Sequence, residues 1–221
     1  DDPSDRSTRK TRLFFVNRFY APDLSATSQI LTDVAEALSK RAFDVFVFTS
    51  RMSYDATQEY NKTETLKGVQ VRRVWSTRLG REHAVLRSID YLTFYLSISL
   101  ALMYSVSRGD IIIAKTDPPI LSIPLSVVAR LKNAKLVNWL QDVFPEVALA
   151  LGIGKPEGIL MKSLKTLRTQ SLKHADMNVT IGTQMLETVR GFPSVSKVRV
   201  CKIQNFADEE AITRQTEHSL N

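Results

Sequence analysis

Three loops of this sequence carry charged or hydroxyl side chains directly after short apolar runs. Serine and threonine at 25–28 are side chains that cap helix starts, so unpaired backbone N–H groups there could hold an anion. Carboxylates in the later loops could accept hydrogen bonds or protons. For one acid alone, capping or solvation is the simpler interpretation, but three such loops together favour a site. The candidates are Arg18, Ser25 and Thr27 after the run 13–16, Thr116 and Asp117 after 110–115, and Asp142 and Glu146 after 136–140.

Alternating apolar runs and helix-periodic segments predict the elements that position these loops. We expect strands at 13–16, 45–49, 69–75, 110–115, 136–140, 177–181 and 198–203. Helices are expected at about 25–40, 120–131, 157–174 and 183–190. This order predicts an α/β fold: a doubly wound, mostly parallel Rossmann-like sheet of about seven strands with helices on both faces.

The first, fourth and fifth predicted strands should be neighbours, because strand order in such a sheet reverses beside the first strand. Their following loops should then form one cleft at the carboxyl edge. We expect Arg18, Ser25, Thr116, Asp117 and Asp142 to lie in it, with the first helix start pointing inward.

Length and composition predict one domain. The 221 residues are 43% hydrophobic, enough for a sizeable core. We expect a disordered tail at 1–11, a single domain at 12–208, a long loop at 51–67 within it, and a linker or tail at 209–221. The polar start without a signal-peptide pattern and the single cysteine, Cys201, predict a cytoplasmic protein.

The net charge of +7 is concentrated in two segments, 66–87 and 155–174. Such surfaces attract anionic lipid headgroups, pyrophosphate-bearing molecules or nucleic acid, although a solvated face is the commoner explanation. Arg78, Arg81 and Arg87 in the first segment are candidates for contact with a membrane or an acceptor phosphate. The uncharged segment 91–106 is shorter than the roughly 20 residues of a spanning helix. It is either a core helix or a helix with one face buried and its start touching a membrane.

Several other classes of site lack their sequence patterns. There is no Gly-x-Gly-x-x-Gly after the first strand and no P-loop, so the usual phosphate cradles are missing. The spacing of His83, His174, His218 and Cys201 predicts no metal site. No helix-turn-helix or aromatic RNA platform is visible, so no nucleic-acid partner is expected.

Four motifs of the sequence belong together: residues 19–29, 116–119, 138–146 and 203–208. Together they resemble the amino-terminal half of the family-four retaining glycosyltransferases of the GT-B fold. The resemblance covers about residues 12–208 and is closest to the bacterial subgroup that builds surface polysaccharides, such as lipopolysaccharide or exopolysaccharide, on a lipid carrier. Where many relatives have a Gly-Gly pair in the first loop, this chain has Ser25, Ala26 and Thr27.

The resemblance implies a transferase that moves a sugar from a nucleotide-sugar donor to a lipid-linked saccharide, with retention and without a cofactor or metal. The donor is a co-substrate that is bound mainly by a carboxy-terminal domain or subunit downstream. This chain is then either a truncated piece or a natural half of the enzyme, and in both cases it should be inactive alone. Asp142 would be catalytic, Arg18 would neutralise phosphate, and the other candidates would contact substrate.

The implied partners are the missing donor domain, the lipid-linked saccharide acceptor and an anionic membrane surface. The implied location is the inner face of the cytoplasmic membrane, held peripherally and sensitive to salt. Two alternatives stay open: a non-catalytic membrane-docking module that recruits a separate catalytic subunit, and an unrelated flavodoxin-like or nucleotide-binding domain.

Overall fold

The computed structural model describes residues 10–55, 57–79, 84–152, 155, 157–192, 195 and 199–205. Arg81, the end of the closing motif at 206–208, the segment 209–221 and all but the last two residues of the predicted tail 1–11 lie outside the described residues.

Strands and helices alternate along the described chain. The strands are β1 (Thr11–Val16), β2 (Phe43–Ser50), β3 (Thr63–Leu66), β4 (Val69–Val74), β5 (Ile111–Lys115), β6 (Lys135–Leu140), β7 (Met177–Thr180) and β8 (Val200–Lys202). The helices are α1 (Ala26–Ser39), α2 (Ala84–Ser105), α3 (Ser122–Lys132), α4 (Glu146–Ala150), α5 (Ile159–His174) and α6 (Thr183–Arg190).

The strands form one sheet in the order β3-β4-β2-β1-β5-β6-β7-β8. Every neighbouring pair is parallel except β3 and β4. This confirms the predicted doubly wound α/β sheet, and β1, β5 and β6 are neighbours as expected. The order reverses between β1 and β5, which is where ligands bind in such sheets.

The sheet has eight strands because β3 lies within the predicted loop 51–67. Its residues Thr63–Leu66 are polar and alternate between exposed and half-buried positions, so the sequence shows no apolar run there. The turn into β4 uses positive φ at Lys67 (45°) and Gly68 (86°). Two left-handed residues match the twist of a tight antiparallel hairpin, so Lys-Gly was the available signal.

The core lies on both sides of the sheet because successive side chains of a strand point to opposite faces. Phe14 of β1 packs with Ile112 and the α2 residue Phe94 on one face. Phe15 packs with Val47 and the α1 residue Leu31 on the other. The near-continuous apolar character of β1 therefore reflects burial on two sides.

Helix α2 begins at Ala84, seven residues before the predicted uncharged segment. Asp90, which interrupts that segment in the sequence, is buried and accepts hydrogen bonds from the Thr77 hydroxyl (2.7 Å) and the Leu79 N–H (3.0 Å). Its charge is thus satisfied inside the fold. No helix of the described residues is long and apolar enough to cross a membrane.

Two arginines counted in the predicted basic surfaces are buried instead. The Arg73 guanidinium pairs with Glu64 and donates to the Ala21 carbonyl at 2.7 Å. Arg168 of α5 donates to Glu146 at 2.6 Å. Each has a carboxylate within reach, which offsets part of the cost of burying a charge.

Candidate functional site

A cavity of about 320 Å³ opens at the carboxyl edge of the sheet, beside β1. The loops after β1, β2, β4 and β5 form its walls, together with the start of α2. It mixes cationic, acidic and phenolic groups, as a site for a polar anionic ligand would. Six of its lining residues are Arg18, Arg78, Arg87, Asp90, Tyr91 and Asp117.

Arg18 is fixed where three strands meet. Its backbone N–H donates to the Asp117 carbonyl (2.8 Å), and its own carbonyl accepts from the Thr49 hydroxyl (2.8 Å) and the Ser50 N–H (3.0 Å). Its guanidinium lies 5.0 Å from the Tyr91 ring centre. The backbone of Arg18 is therefore fixed at the cavity edge, and its guanidinium lies against the Tyr91 ring.

Asp117 lines the same cavity as Arg18, and its pKa is strongly raised. Burial raises the pKa of Asp117 to about 6, against the effect of the Arg18 cation, and the nearby Asp142 carboxylate raises it further. A carboxyl group that titrates near neutral pH can accept or release a proton under physiological conditions.

Lys115, the last residue of β5, was not among the predicted site residues. Its ammonium is buried, donates to the Thr27 carbonyl at 2.8 Å and lies 4.4 Å from the Trp139 ring centre. Burial lowers the pKa of Lys115 to about 8, partly offset by Asp117. The signal available was a lone charge at the end of the apolar run 111–114.

Ser25 and Thr27 are involved in the start of α1. The Ser25 hydroxyl accepts from the Ser28 N–H (3.3 Å), and Asp23 accepts from the Ser25 N–H (3.3 Å) and the Tyr54 N–H (2.5 Å). Neither Ser25 nor Thr27 is among the described residues that line the cavity. Their contact with substrate stays a prediction, while the predicted cap is confirmed.

The prediction of a single cleft is wrong, because Thr116 and Asp142 line a second cavity of about 30 Å³ and Ser25 lines neither of the two. Thr116 and Asp117 lie in the bend that follows β5, and they line different cavities. The Thr116 hydroxyl accepts from the Gln141 N–H (3.2 Å), which joins the loops after β5 and β6. Asp142 thus stays electrostatically coupled to Asp117 without lining the larger cavity.

Asp142 is half-buried, and burial raises its pKa while a hydrogen bond with Thr116 lowers it. Its Oδ1 atom is buried without a hydrogen-bond partner among the described residues. One carboxylate oxygen of Glu146 accepts a hydrogen bond from Arg168. The other, Oε2, is buried and, like Asp142 Oδ1, has no hydrogen-bond partner among the described residues. The catalytic and substrate-binding roles of these acids stay predictions.

Arg78 and Arg87 contribute two further cations to the larger cavity. The Arg78 guanidinium pairs with Glu59 at 2.7 Å, and both side chains are about half exposed. Among the described residues, no three histidine, cysteine or acidic side chains are grouped so that they could hold a metal ion.

The coupling between Arg18 and Asp117 gives a direct test of this geometry. We expect Asp117 in the native protein to titrate near pH 6 and the Arg18→Met variant to titrate at higher pH, because the cation that favours the carboxylate is gone. Carbon-13 NMR of labelled aspartate would measure both. Arg78→Met is the matched control and should shift Asp117 less, since Arg78 pairs with Glu59. An unchanged Asp117 pKa in Arg18→Met would contradict the arrangement.

Part of the chain is similar in sequence to a curated protein. It is 26% identical over 108 residues to the probable glycosyltransferase WbjE of Pseudomonas aeruginosa, covering 49% of this chain and 27% of the relative. The chain is glycosyltransferase-like. No protein-family model matches it.

Solved structures support the fold. Sucrose-phosphate synthase of Thermosynechococcus elongatus superimposes with a TM-score of 0.65 at 11% identity, covering 88% of this chain and 48% of that one. A shorter chain of the same protein gives a TM-score of 0.57, with 90% and 91% covered. This glycosyltransferase-like chain therefore spans about half of the longer solved chain and about a quarter of the curated relative.

Proposed function

We propose that this chain is the acceptor-side domain of a glycosyltransferase that moves a sugar from a nucleotide-sugar donor to a lipid-linked saccharide. The observation that carries the proposal is the cavity at the carboxyl edge, which is lined by Arg18, Arg78 and Arg87 together with Asp117. Guanidinium groups bind phosphate oxygens with strong, directional hydrogen bonds. A saccharide joined to a lipid through diphosphate offers both a phosphate for the arginines and a hydroxyl for the carboxyl groups.

The two aspartates of the site have different roles in the reaction. Asp142 hydrogen-bonds the reacting sugar or the incoming hydroxyl, while Asp117, with its pKa near 6, exchanges a proton with the acceptor. Ser25, Thr27, Thr116 and Glu146 orient substrate from the surrounding loops. The reaction retains the anomeric configuration, as in the family-four enzymes that the motifs resemble, and builds a bacterial surface polysaccharide.

The donor sugar nucleotide is bound mainly by a part of the protein beyond this chain. The length of WbjE supports this proposal, because the 108 aligned residues are 49% of this chain but only 27% of the relative. Transfer requires both reactants to be held together, so the chain alone is expected to be inactive. The protein works at the inner face of the cytoplasmic membrane, where a lipid-linked acceptor resides.

The alternative is a non-catalytic module that docks on a membrane and recruits a separate catalytic subunit. The exposed apolar face of α2 favours it, because that face suits docking and takes no part in chemistry. Transfer activity in the full-length protein distinguishes the two.

A transfer assay with the full-length protein tests the proposal. A polyprenyl-diphosphate saccharide and a panel of nucleotide sugars should give an extended saccharide in the lipid fraction. Arg18→Met should lower kcat/KM by about 10- to 100-fold, the value of one charged hydrogen bond to phosphate. Asp33→Asn, a change of an exposed acid on α1, is the control and should be neutral. If no nucleotide sugar in the panel supports transfer, the glycosyltransferase proposal is excluded, and the non-catalytic docking module becomes the favoured function.

A further inference from the structure

The outer face of α2 is a continuous apolar ridge. Its inner residues Phe94, Ile98 and Leu102 are fully buried against the sheet, so the helix cannot rotate to hide its other side. Residues three or four apart lie on one face of a helix, and the exposed large apolar residues of α2 follow that spacing. They are Ile89 (38% exposed), Leu92 (56%), Leu96 (59%), Leu100 (60%) and Tyr104 (90%).

Helix α3, which packs beside α2, also exposes apolar residues. Val127 and Leu131, one turn apart on α3, are 54% and 66% exposed. Single exposed apolar residues are ordinary, but a ridge along one helix with further apolar residues on the adjacent helix marks a docking surface.

The exposed charges on the two helices that carry this patch, and on the segment between them, are of one sign. Between residues 84 and 133 the exposed charged side chains are Arg87, Arg108 and Arg130. The acids of the same span are turned inward: Asp90 and Asp110 are buried, and Asp117 lies half-buried in the cavity. An apolar ridge with a cationic rim complements a membrane surface that has anionic headgroups above an apolar interior.

A second copy of the chain fits this face less well. A two-fold pairing of the ridges would bring the arginines of each copy toward those of the other, and unscreened like charges oppose association. The same cations are favourable beside anionic lipid.

We infer that the outer face of α2, extended by α3, docks the protein on an anionic lipid bilayer. The helix lies on the surface and inserts the ridge residues among the lipid chains. Arg87 and Tyr91 line the large cavity from the first turns of the same helix, so the docked protein holds the cavity close to the headgroups. That closeness would serve a lipid-linked acceptor, a consequence that rests on the proposed function; the docking itself does not.

Flotation of the full chain with vesicles tests the inference. The protein should float with phosphatidylcholine–phosphatidylglycerol vesicles and much less with phosphatidylcholine alone. The double variant Leu96→Ser/Leu100→Ser should lose about tenfold or more in apparent binding constant, because two inserted leucines are removed. The matched control is Ile159→Ser/Leu160→Ser, which removes two exposed apolar residues from the start of α5 and should bind normally. Thermal melting would verify that both variants fold.

Three results would overturn the inference. The first is undiminished flotation of Leu96→Ser/Leu100→Ser, and the second is equal binding of the native protein to neutral and anionic vesicles. The third is a native protein that binds no vesicles but forms a concentration-dependent dimer, which the double variant abolishes. Transfer to a water-soluble acceptor by the full-length variant separates the two proposals. It should match the native protein if the transferase assignment holds, whatever the vesicles show.

Discussion

Asp142→Asn in the full-length protein is expected to lower sugar transfer by about 10²-fold or more, the scale of a positioned catalytic group. Asparagine keeps the shape of the side chain but cannot carry the charge or accept a proton. The half-buried position strengthens the effect, since a carboxylate shielded from water interacts more strongly with a neighbouring hydroxyl. The measurement is kcat and KM of the variant across pH, with Asp33→Asn as control.

The pH profile decides how Asp142 acts. Its charge raises the pKa of Asp117, so its loss should move the acid limb of the kcat/KM profile to lower pH. If Asp142 worked only through Asp117, the rate above pH 6 would be nearly native and only the acid limb would move. A 10²-fold loss at all pH values, with native thermal melting, indicates contact with the reacting groups. A native rate at every pH would refute the catalytic assignment.

Arg73→Met is expected to produce the largest loss of stability. The Arg73 guanidinium is buried on Glu64, donates to the Ala21 and Asn61 carbonyls at 2.7 and 3.3 Å, and lies 5.0 Å from the Tyr60 ring centre. Its removal should cost about 3 kcal/mol, because two backbone carbonyls and the half-buried Glu64 carboxylate lose a charged hydrogen-bond donor. For a chain of this size, that lowers the melting temperature by about 6 °C or more.

The neighbouring residue supplies the control. Arg72 is exposed on the same strand and donates to the Ser105 hydroxyl, so Arg72→Met should change the free energy of unfolding by no more than about 0.5 kcal/mol. Arg73 donates to the Ala21 carbonyl and so fixes the loop that contains Asp23, the acceptor of the Tyr54 N–H. Loss of the Arg73 guanidinium should therefore also speed hydrogen exchange at the Tyr54 N–H. Equal melting temperatures for the two variants would show that the buried cation stabilises nothing.

Much of this fold could be predicted from the sequence because its signals are local. Residues 13–16 and 111–114 are apolar throughout, as parallel strands covered on both faces must be. The serine at 25 precedes a helix-periodic segment and caps it. The strand β3 was missed because its hairpin faces solvent on one side and its residues are polar.

The contacts of the site, in contrast, depend on pairs far apart in the chain. Lys115 meets the Thr27 carbonyl 88 residues away, and Arg73 meets the Ala21 carbonyl 52 residues away. In the sequence, each of these residues is only a cationic side chain, and such side chains are usually exposed. Whether they are buried depends on which strands become neighbours in the sheet.

The sequence by itself thus determined the alternating elements, the switch point beside β1 and the three loops that follow β1, β5 and β6. Only the tertiary structure decided that Thr116 and Asp117 line different cavities, that Arg168 neutralises Glu146 and that the outer face of α2 stays uncovered. The reason is that hydrophobic periodicity fixes which side of each element turns inward. What meets a polar or outward-facing side chain is set by packing between distant segments.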